Sequence, residues 1–538
     1  MPFLRVEKKS SGTYLRILES YRDATGKSTH RILFSMGKIE DYTQEQLRRI
    51  GIRLYELGGG EIRLLLEGNV EELARYNYGY VQVLSKAMQH YGLDVVIDRM
   101  QRNSKVEFDL YNATMLMLVE RLHDPCSKRS NWFNQQEYLG IEPTELQHLY
   151  RTLDKLADHN KFIQRQIFQT GRDLFNQQLD VVFYDVTTLY FDSEVEQEGS
   201  LRRKGFSKDG KMGNTQILFC MLIDKNKNPI GYRIFKGDTF EGHTFEKALE
   251  DLKQEFHIDK IVIVADRGML SKNNIKLVEE KSYEFIIGER IRSLPQSIQK
   301  TLLDKSTYKY EWTYADSDNE QITIQYTTLS YEGKTIIATY SNKRAKKDRT
   351  DREQKLATAQ LLLKHPNLLK KKASRYYLTS IGNEKYELNE KKIKADQAYD
   401  GILAIATNTT TLAETVILDH YKQLYKIEHT FRTFKSHLEM RPMFHWTNKR
   451  IEGHICLCYI AYTLLNYVQQ KLIAVSKPLS EKNLRAIIDH MQVSLIQRNQ
   501  EQIYLRAKPK DGQTVLQQIL GLKTLPCLLP VHQLNKYL

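Results

Sequence analysis

The chain reads as an α/β protein with a β-rich insertion, preceded by a small β module and a helical module. Three observations carry this. Between Leu179 and Asp266, three strand-like stretches, one helix-like stretch and another strand follow one another, the order of an α/β sheet. The runs Leu179 to Tyr184 and Lys260 to Ala265 are apolar without alternation, as suits central strands covered on both faces. Beyond a long, mostly β region, Ile402 to Ala406 is again such a run and precedes an amphipathic helix.

Taken in order, residues 1–40 alternate as strands around a turn at Asp23-Ala24-Thr25-Gly26. A helix is predicted from Gln44 to Leu57, ended by Gly58-Gly59-Gly60. Residues 76–177 read as helices, among them Val81 to Tyr91 and Phe108 to Leu122, the latter stopped by Asp124-Pro125. A strand is expected at Leu179 to Tyr184, an apolar run that ends in Asp185 and continues as a β-rich stretch over Val186 to Phe191; two further strands are expected at Gln216 to Ile223 and Ile230 to Phe235. The helical spacing of Thr244 to Phe256 follows, and a strand ending in Asp266. Strand candidates at Tyr308 to Tyr314, Gln321 to Ser330 and Thr335 to Tyr340, the last two joined at Glu332-Gly333, form the insertion. A basic segment, Lys343 to Arg352, leads into a helix near Gln354 to Lys364, and another helix runs from Ile451 to about Leu472. The expected boundaries are 1–75, 76–177, 178–282, 283–398, 399–475 and 476–538.

The 538 residues exceed one domain; about three or four are expected. Lys plus Arg number 80 against 66 Asp plus Glu, a net charge of +14. That balance favours a polyanionic partner, nucleic acid ahead of a membrane surface. Five scattered cysteines exclude a disulfide framework or zinc site, and His429, His445 and His454 lack zinc spacing. The longest nearly apolar run, Ile455 to Tyr462, is well short of the roughly 18 residues of a spanning helix. No membrane partner is expected, and a soluble, cytoplasmic, reduced protein is.

The stretch Ile417 to Leu438 then poses a question. Ile417, Tyr421, Leu424, Glu428, Phe431, Lys435 and Leu438 form the seam of an amphipathic helix, so Glu428 stands where an apolar side chain is expected. A buried carboxylate costs several kcal/mol unless paired or bound to a cation. Lys435, seven residues on, is roughly 10 Å away along the axis, so a shared cleft with other carboxylates and a metal is the sharper answer. Asp185 and Asp266 end predicted central strands, the edge where α/β sheets bind ligands. Singly, each reads more readily as a turn former or cap. Together with Glu428 they describe hard oxygen ligands for magnesium or manganese, and hence phosphoryl transfer on nucleic acid by two metal ions.

The sequence also resembles a known family. YDVTT from Tyr184, ADRGM from Ala265 and the helix carrying Tyr421, Glu428 and Lys435 are similar to the insertion-sequence transposases of the Asp-Asp-Glu class. In particular they resemble the group whose signature is Tyr, two residues, Arg, three residues, Glu, six residues, Lys. Leu424 occupies the arginine position, and Lys426 or Arg432 is the candidate replacement for its charge. GFSKDGK at Gly205 to Lys211 and SNKRAKKDR at Ser341 to Arg349 also resemble this group. The resemblance implies a ribonuclease H-like core, two magnesium ions (manganese can substitute) on Asp185, Asp266 and Glu428, and DNA contacts by Tyr421 and Lys435. It further implies double-stranded DNA partners, namely terminal inverted repeats and target DNA, a homodimer in a synaptic complex, and a nucleoid-associated protein.

Further DNA-contact candidates each have a second reading. Lys208, with Arg202, Arg203 and Lys204, grips a backbone or tips a solvated hairpin; Lys343 to Arg352 binds phosphates or is an exposed linker. Arg267 orients Asp266 or touches DNA. Trp312 stacks an unpaired base or, more commonly for a strand tryptophan, belongs to the core. The rival functions are a stand-alone metal-dependent nuclease of the same fold and a transposase-derived DNA-binding protein that no longer cuts.

Overall fold

The unbroken apolar runs form the middle of one ten-stranded sheet. In the computed structural model, which describes residues 2–58, 70–171, 181–206, 213–256, 258, 261–266, 272–315, 320–364, 376–382, 385–498 and 501–537, Val181–Tyr190, Val262–Ala265 and Glu284–Glu289 lie side by side and parallel. Tyr184 stands opposite Ala265, and Ala265 opposite Ile287. On one side, Val181–Tyr190 pairs antiparallel with Thr215–Ile223, which pairs in turn with Pro229–Lys236 and the short Arg203–Lys204. On the other, Glu284–Glu289 pairs antiparallel with Ile402–Thr407, followed by Lys334–Tyr340, Gln321–Tyr331 and Tyr310–Ala315.

Two expectations change here. The strand does not end at Asp185: Val186, Thr187 and Thr188 suit extended backbone, and they continue it against Thr215–Ile223. Only its pairing with Val262–Ala265 stops at Tyr184. The β-rich insertion is likewise no separate sheet. Its strands extend the central one, because Ile402–Thr407 has a second edge that would otherwise be left unpaired, and Ile337 takes it opposite Ile405. The turn between the last two insertion strands lies at Glu332-Gly333 as expected, with both residues at positive φ, 50° and 74°.

Side chains alternate across the sheet, and the alternation sorts two cores. Val181, Phe183, Val264 and Ile286 face a large cluster shared with the helices, whereas Val182, Tyr184, Ile263 and Ala265 face Phe245 and Leu249 of the helix Glu241–Gln254. On the first side, helices Gly79–Tyr91, Leu110–His123, Leu146–Asp158 and Asn160–Gly171 pack against the long helix Asn448–Ala474. That helix is buried around its whole circumference from Ile455 to Leu465, which its apolar sequence requires. No helix among the described residues is long and apolar enough to cross a membrane.

The chain divides into two compact units, residues 1–71 with 497–501, and residues 72–496 with 502–538. The expected boundaries near 177, 282, 398 and 475 therefore fall inside one unit. The first unit holds an antiparallel sheet, Pro2–Lys9, Gly12–Arg22 and Ser28–Lys38, and the helix Gln44–Leu57. That helix starts in a capping box: the Thr43 hydroxyl accepts from the Gln46 N–H at 3.2 Å, and the Gln46 side chain accepts from the Thr43 N–H at 2.9 Å. Gly59 and Gly60 of its expected stop lie outside the described residues.

Beneath the helices sits a buried polar group. Glu120 is 1 % exposed and accepts from Asn131 Nδ2 and Cys126 Sγ, both at 3.3 Å. Burial pushes its carboxyl up to about 7. A raised folded value means the native state holds the proton longer, so this contribution is whole below the ordinary glutamate range and is lost as pH rises through about 7. Lys128, buried beside it and pushed down to about 7, acts in the window above. The urea midpoint of the protein is expected to fall between pH 5 and pH 7, and Glu120→Gln, neutral throughout, to flatten that fall.

Candidate active site

The signature segment is not one helix in one phase. It forms Glu414–Lys422, then Tyr425–Arg432, then a π turn, Thr433–His437. Between the two helices the backbone tightens to three-residue hydrogen bonds: the Leu424 N–H donates to Tyr421 O at 3.1 Å and the Lys426 N–H to Gln423 O at 2.9 Å. The phase therefore changes. The buried line after the break is Ile427, Phe431, Phe434 and Leu438, and Glu428 lies one residue off it, exposed. The expectation of a carboxylate on a buried seam is corrected. Water solvates Glu428, and its position at a cleft, not its burial, gives it interest.

That position follows from the sheet. The helix Glu414–Lys422 packs on Val262–Ala265 and Glu284–Glu289, and Tyr425–Arg432 packs on Val181–Tyr190. Alternation puts Asp185 on the side of Phe183 and Asp266 on the side of Val264, the face that Ile427 and Phe431 cover. Because Tyr184 stands opposite Ala265, the two aspartates are also abreast. Asp266 and Glu428 line one cleft of about 760 Å³. Asp185 is half-buried, and its Oδ1 accepts from the Val186 N–H at 2.8 Å. Among the described residues no three carboxylate, imidazole or thiol side chains stand close enough together to hold an ion; the three acids share a face and an edge without closing on one point. Their all-oxygen chemistry suits a hard divalent cation.

The other candidates separate. Tyr421 and Leu424 line the cleft. Lys426 does not: its Nζ donates to Lys225 O, in the turn after Thr215–Ile223, and to Gln423 Oε1 at 2.9 Å, so it does not bring the missing arginine's charge to the cleft. Arg432 is exposed and Lys435 half-buried, and neither lines the cleft. Lys208 and Arg267 lie outside the described residues. Trp312 lines the cleft but takes the packing role. It is 6 % exposed, its Nε1–H donates to Asp419 Oδ1 at 3.0 Å, and its ring meets Tyr314 at 4.5 Å between centroids. Trp312→Phe, which strands Asp419, is expected to cost about 1 kcal/mol in urea unfolding and to leave DNA affinity unchanged; a large affinity loss at full stability would restore the stacking role.

One carboxylate in the cleft was missed from sequence. Glu289 ends the apolar run of its strand as the aspartates end theirs, and lines the cleft with them; that signal was there to be read. Lys343, Arg344 and Lys347, from the basic segment already read as a phosphate-binding candidate or a linker, also line it. They are not a linker but the first turns of a helix, Asn342–Lys364, whose dense charge hid its period.

Residues 176–464 match the family described as Transposase DDE domain, and residues 4–72 match that described as IS1634 family transposase, N-terminal domain. No curated protein matches. Among solved structures the chain is similar to one titled "Mos1 transposase paired-end complex with left transposon end", at 11% identity, over 34% of this chain and 60% of that one. The TM-score of 0.15 is too low for that likeness to carry weight. With one family covering more than half of its 538 residues, the chain belongs to the DDE-domain transposases.

Proposed function

We propose that the protein cuts the ends of an insertion sequence and joins them to target DNA, with Asp185, Asp266 and Glu428 as the catalytic acids. One observation carries the reading. Strand register and side-chain alternation bring both aspartates to the sheet face covered by the Glu428 helix, with Asp266 and Glu428 in one cleft. The sheet supports a ribonuclease H-like core: three antiparallel strands, Pro229–Lys236, Thr215–Ile223 and Val181–Tyr190, are followed by two that run parallel to the last.

Asp185, Asp266 and Glu428 would hold magnesium, two ions in the full reading, with manganese able to replace it. When bound, the metal lowers the pKa of an attacking water or 3′-hydroxyl and steadies the leaving oxygen. The chain's own part is to fix the acids on rigid elements and to hold DNA against them. Tyr421, in the cleft wall, and Lys435, on the π turn, contact DNA near the scissile phosphate. Both ends of an element must be cut and joined together, so the working form is a homodimer bridging two inverted repeats and the target.

The test is incubation of a duplex carrying the element's terminal repeat with a target plasmid and magnesium. Cleavage at the end followed by strand joining is expected. Hydrolysis without joining would identify a nuclease, and tight binding without nicking a DNA-binding derivative.

A further inference from the structure

Acids and cations line the cleft from different elements. Asp266, Glu289 and Glu428 belong to the strand ends and the signature helix, whereas Lys343, Arg344 and Lys347 come from the start of the helix Asn342–Lys364. All three cations are exposed. Lys343 and Lys347 are one turn apart, about 6 Å along the axis, and the positive end of the helix dipole adds to them. Arg344, itself exposed, pairs with the half-buried Asp348 at 3.7 Å, a long contact at the surface that contributes little.

The helix that presents them is held from behind. Asp348 Oδ2 accepts from the Gly401 N–H at 3.0 Å, Arg352, 8 % exposed, pairs with Asp400, and Ala345 lies so close to Gly401 that a Cβ there would come within 2.9 Å of it. Residues 345, 348 and 352 are one helix face; its anchoring fixes where residues 343, 344 and 347 point. Lys422, the other lysine in the cleft wall, belongs to the signature segment: its Nζ donates to Ala315 O and lies 3.6 Å from the Tyr314 ring centroid.

We infer that Lys343, Arg344 and Lys347 form a rail for the sugar-phosphate backbone of the DNA strand that enters the cleft, a binding site separate from the residues that read the element end. The inference rests on the proposal that DNA is the substrate of this cleft. A rail of this kind is indifferent to sequence: it adds affinity equally to every duplex and makes that affinity salt-dependent.

The experiment is titration of fluorescent duplexes, one with the element end and one of random sequence, without divalent metal, at 50 to 200 mM salt. The proteins are wild type, the triple variant Lys343→Gln, Arg344→Gln, Lys347→Gln, and Lys347→Gln alone in case the triple variant does not fold. The slope of log affinity against log salt is expected to be shallower by about 2.7 in the triple variant and about 0.9 in the single one, with both duplexes weakened by the same factor. An unchanged slope, or a loss confined to the element end, would overturn the rail. Cleavage by Glu428→Gln is scored separately. If that variant still cuts while the slopes fall, the acid assignment fails and the rail stands; if it is inactive while the slopes hold, the reverse is true.

Discussion

Glu428→Gln is expected to lower cleavage of a terminal-repeat duplex by about a thousandfold or more, with duplex binding within about twofold of wild type. Glutamine keeps the shape and loses the charge, and a carboxylate that holds a catalytic metal is not replaced by a neutral amide. Glu428 is exposed, so the substitution disturbs no packing and its effect reads on chemistry alone. Gel retardation and cleavage scored on the same reactions check it. Asp266→Asn, in the lining of the same cleft, is expected to behave alike.

The second large effect is on stability. Gly453 lies where the long helix Asn448–Ala474 crosses Leu146–Asp158, and a Cβ there would stand 2.0 Å from the Leu153 carbonyl oxygen and 2.6 Å from its carbon. Neither is the end of a flexible side chain, so the two helices must part. Overpacking of a core costs roughly 1–3 kcal/mol, occasionally more, and a backbone-to-backbone clash belongs at the upper end. Gly453→Ala is expected to lose about 3 kcal/mol or more, read as a lower urea midpoint, with cleavage per folded molecule unchanged. The two variants thus separate: one stops chemistry in a sound fold, the other weakens a fold whose chemistry is intact.

Where the candidate acids lie on the sheet was largely legible because the signals are local. An apolar run that stops at a carboxylate marks a strand end; Asp266 is located that way, and the same signal at Glu289 went unread. Asp185 reaches the same edge for a partly different reason than expected: its strand continues, and it is the pairing with the neighbour that ends there. What was illegible is set by tertiary structure. The phase of Glu428 depends on a tightened turn at Leu424 and a π turn after Arg432, neither of which the period of the sequence announces. The insertion looked separable because its strands alternate, yet their pairing with Ile402–Thr407 joins residues more than sixty positions apart. Trp312 is held by Asp419, a contact between an insertion strand and the signature segment. Lys426 turned to the Lys225 carbonyl for the same kind of reason.

The most direct test of the three-acid assignment is metal rescue at Asp266. A thiolate is a soft ligand that accepts manganese more readily than magnesium, and Asp266 is exposed enough for a cysteine to take its place without repacking. Asp266→Cys is predicted to leave the terminal-repeat duplex intact with magnesium and to cut it with manganese. If the variant cuts as fast as wild type with magnesium, Asp266 holds no catalytic metal and the assignment of the site is wrong.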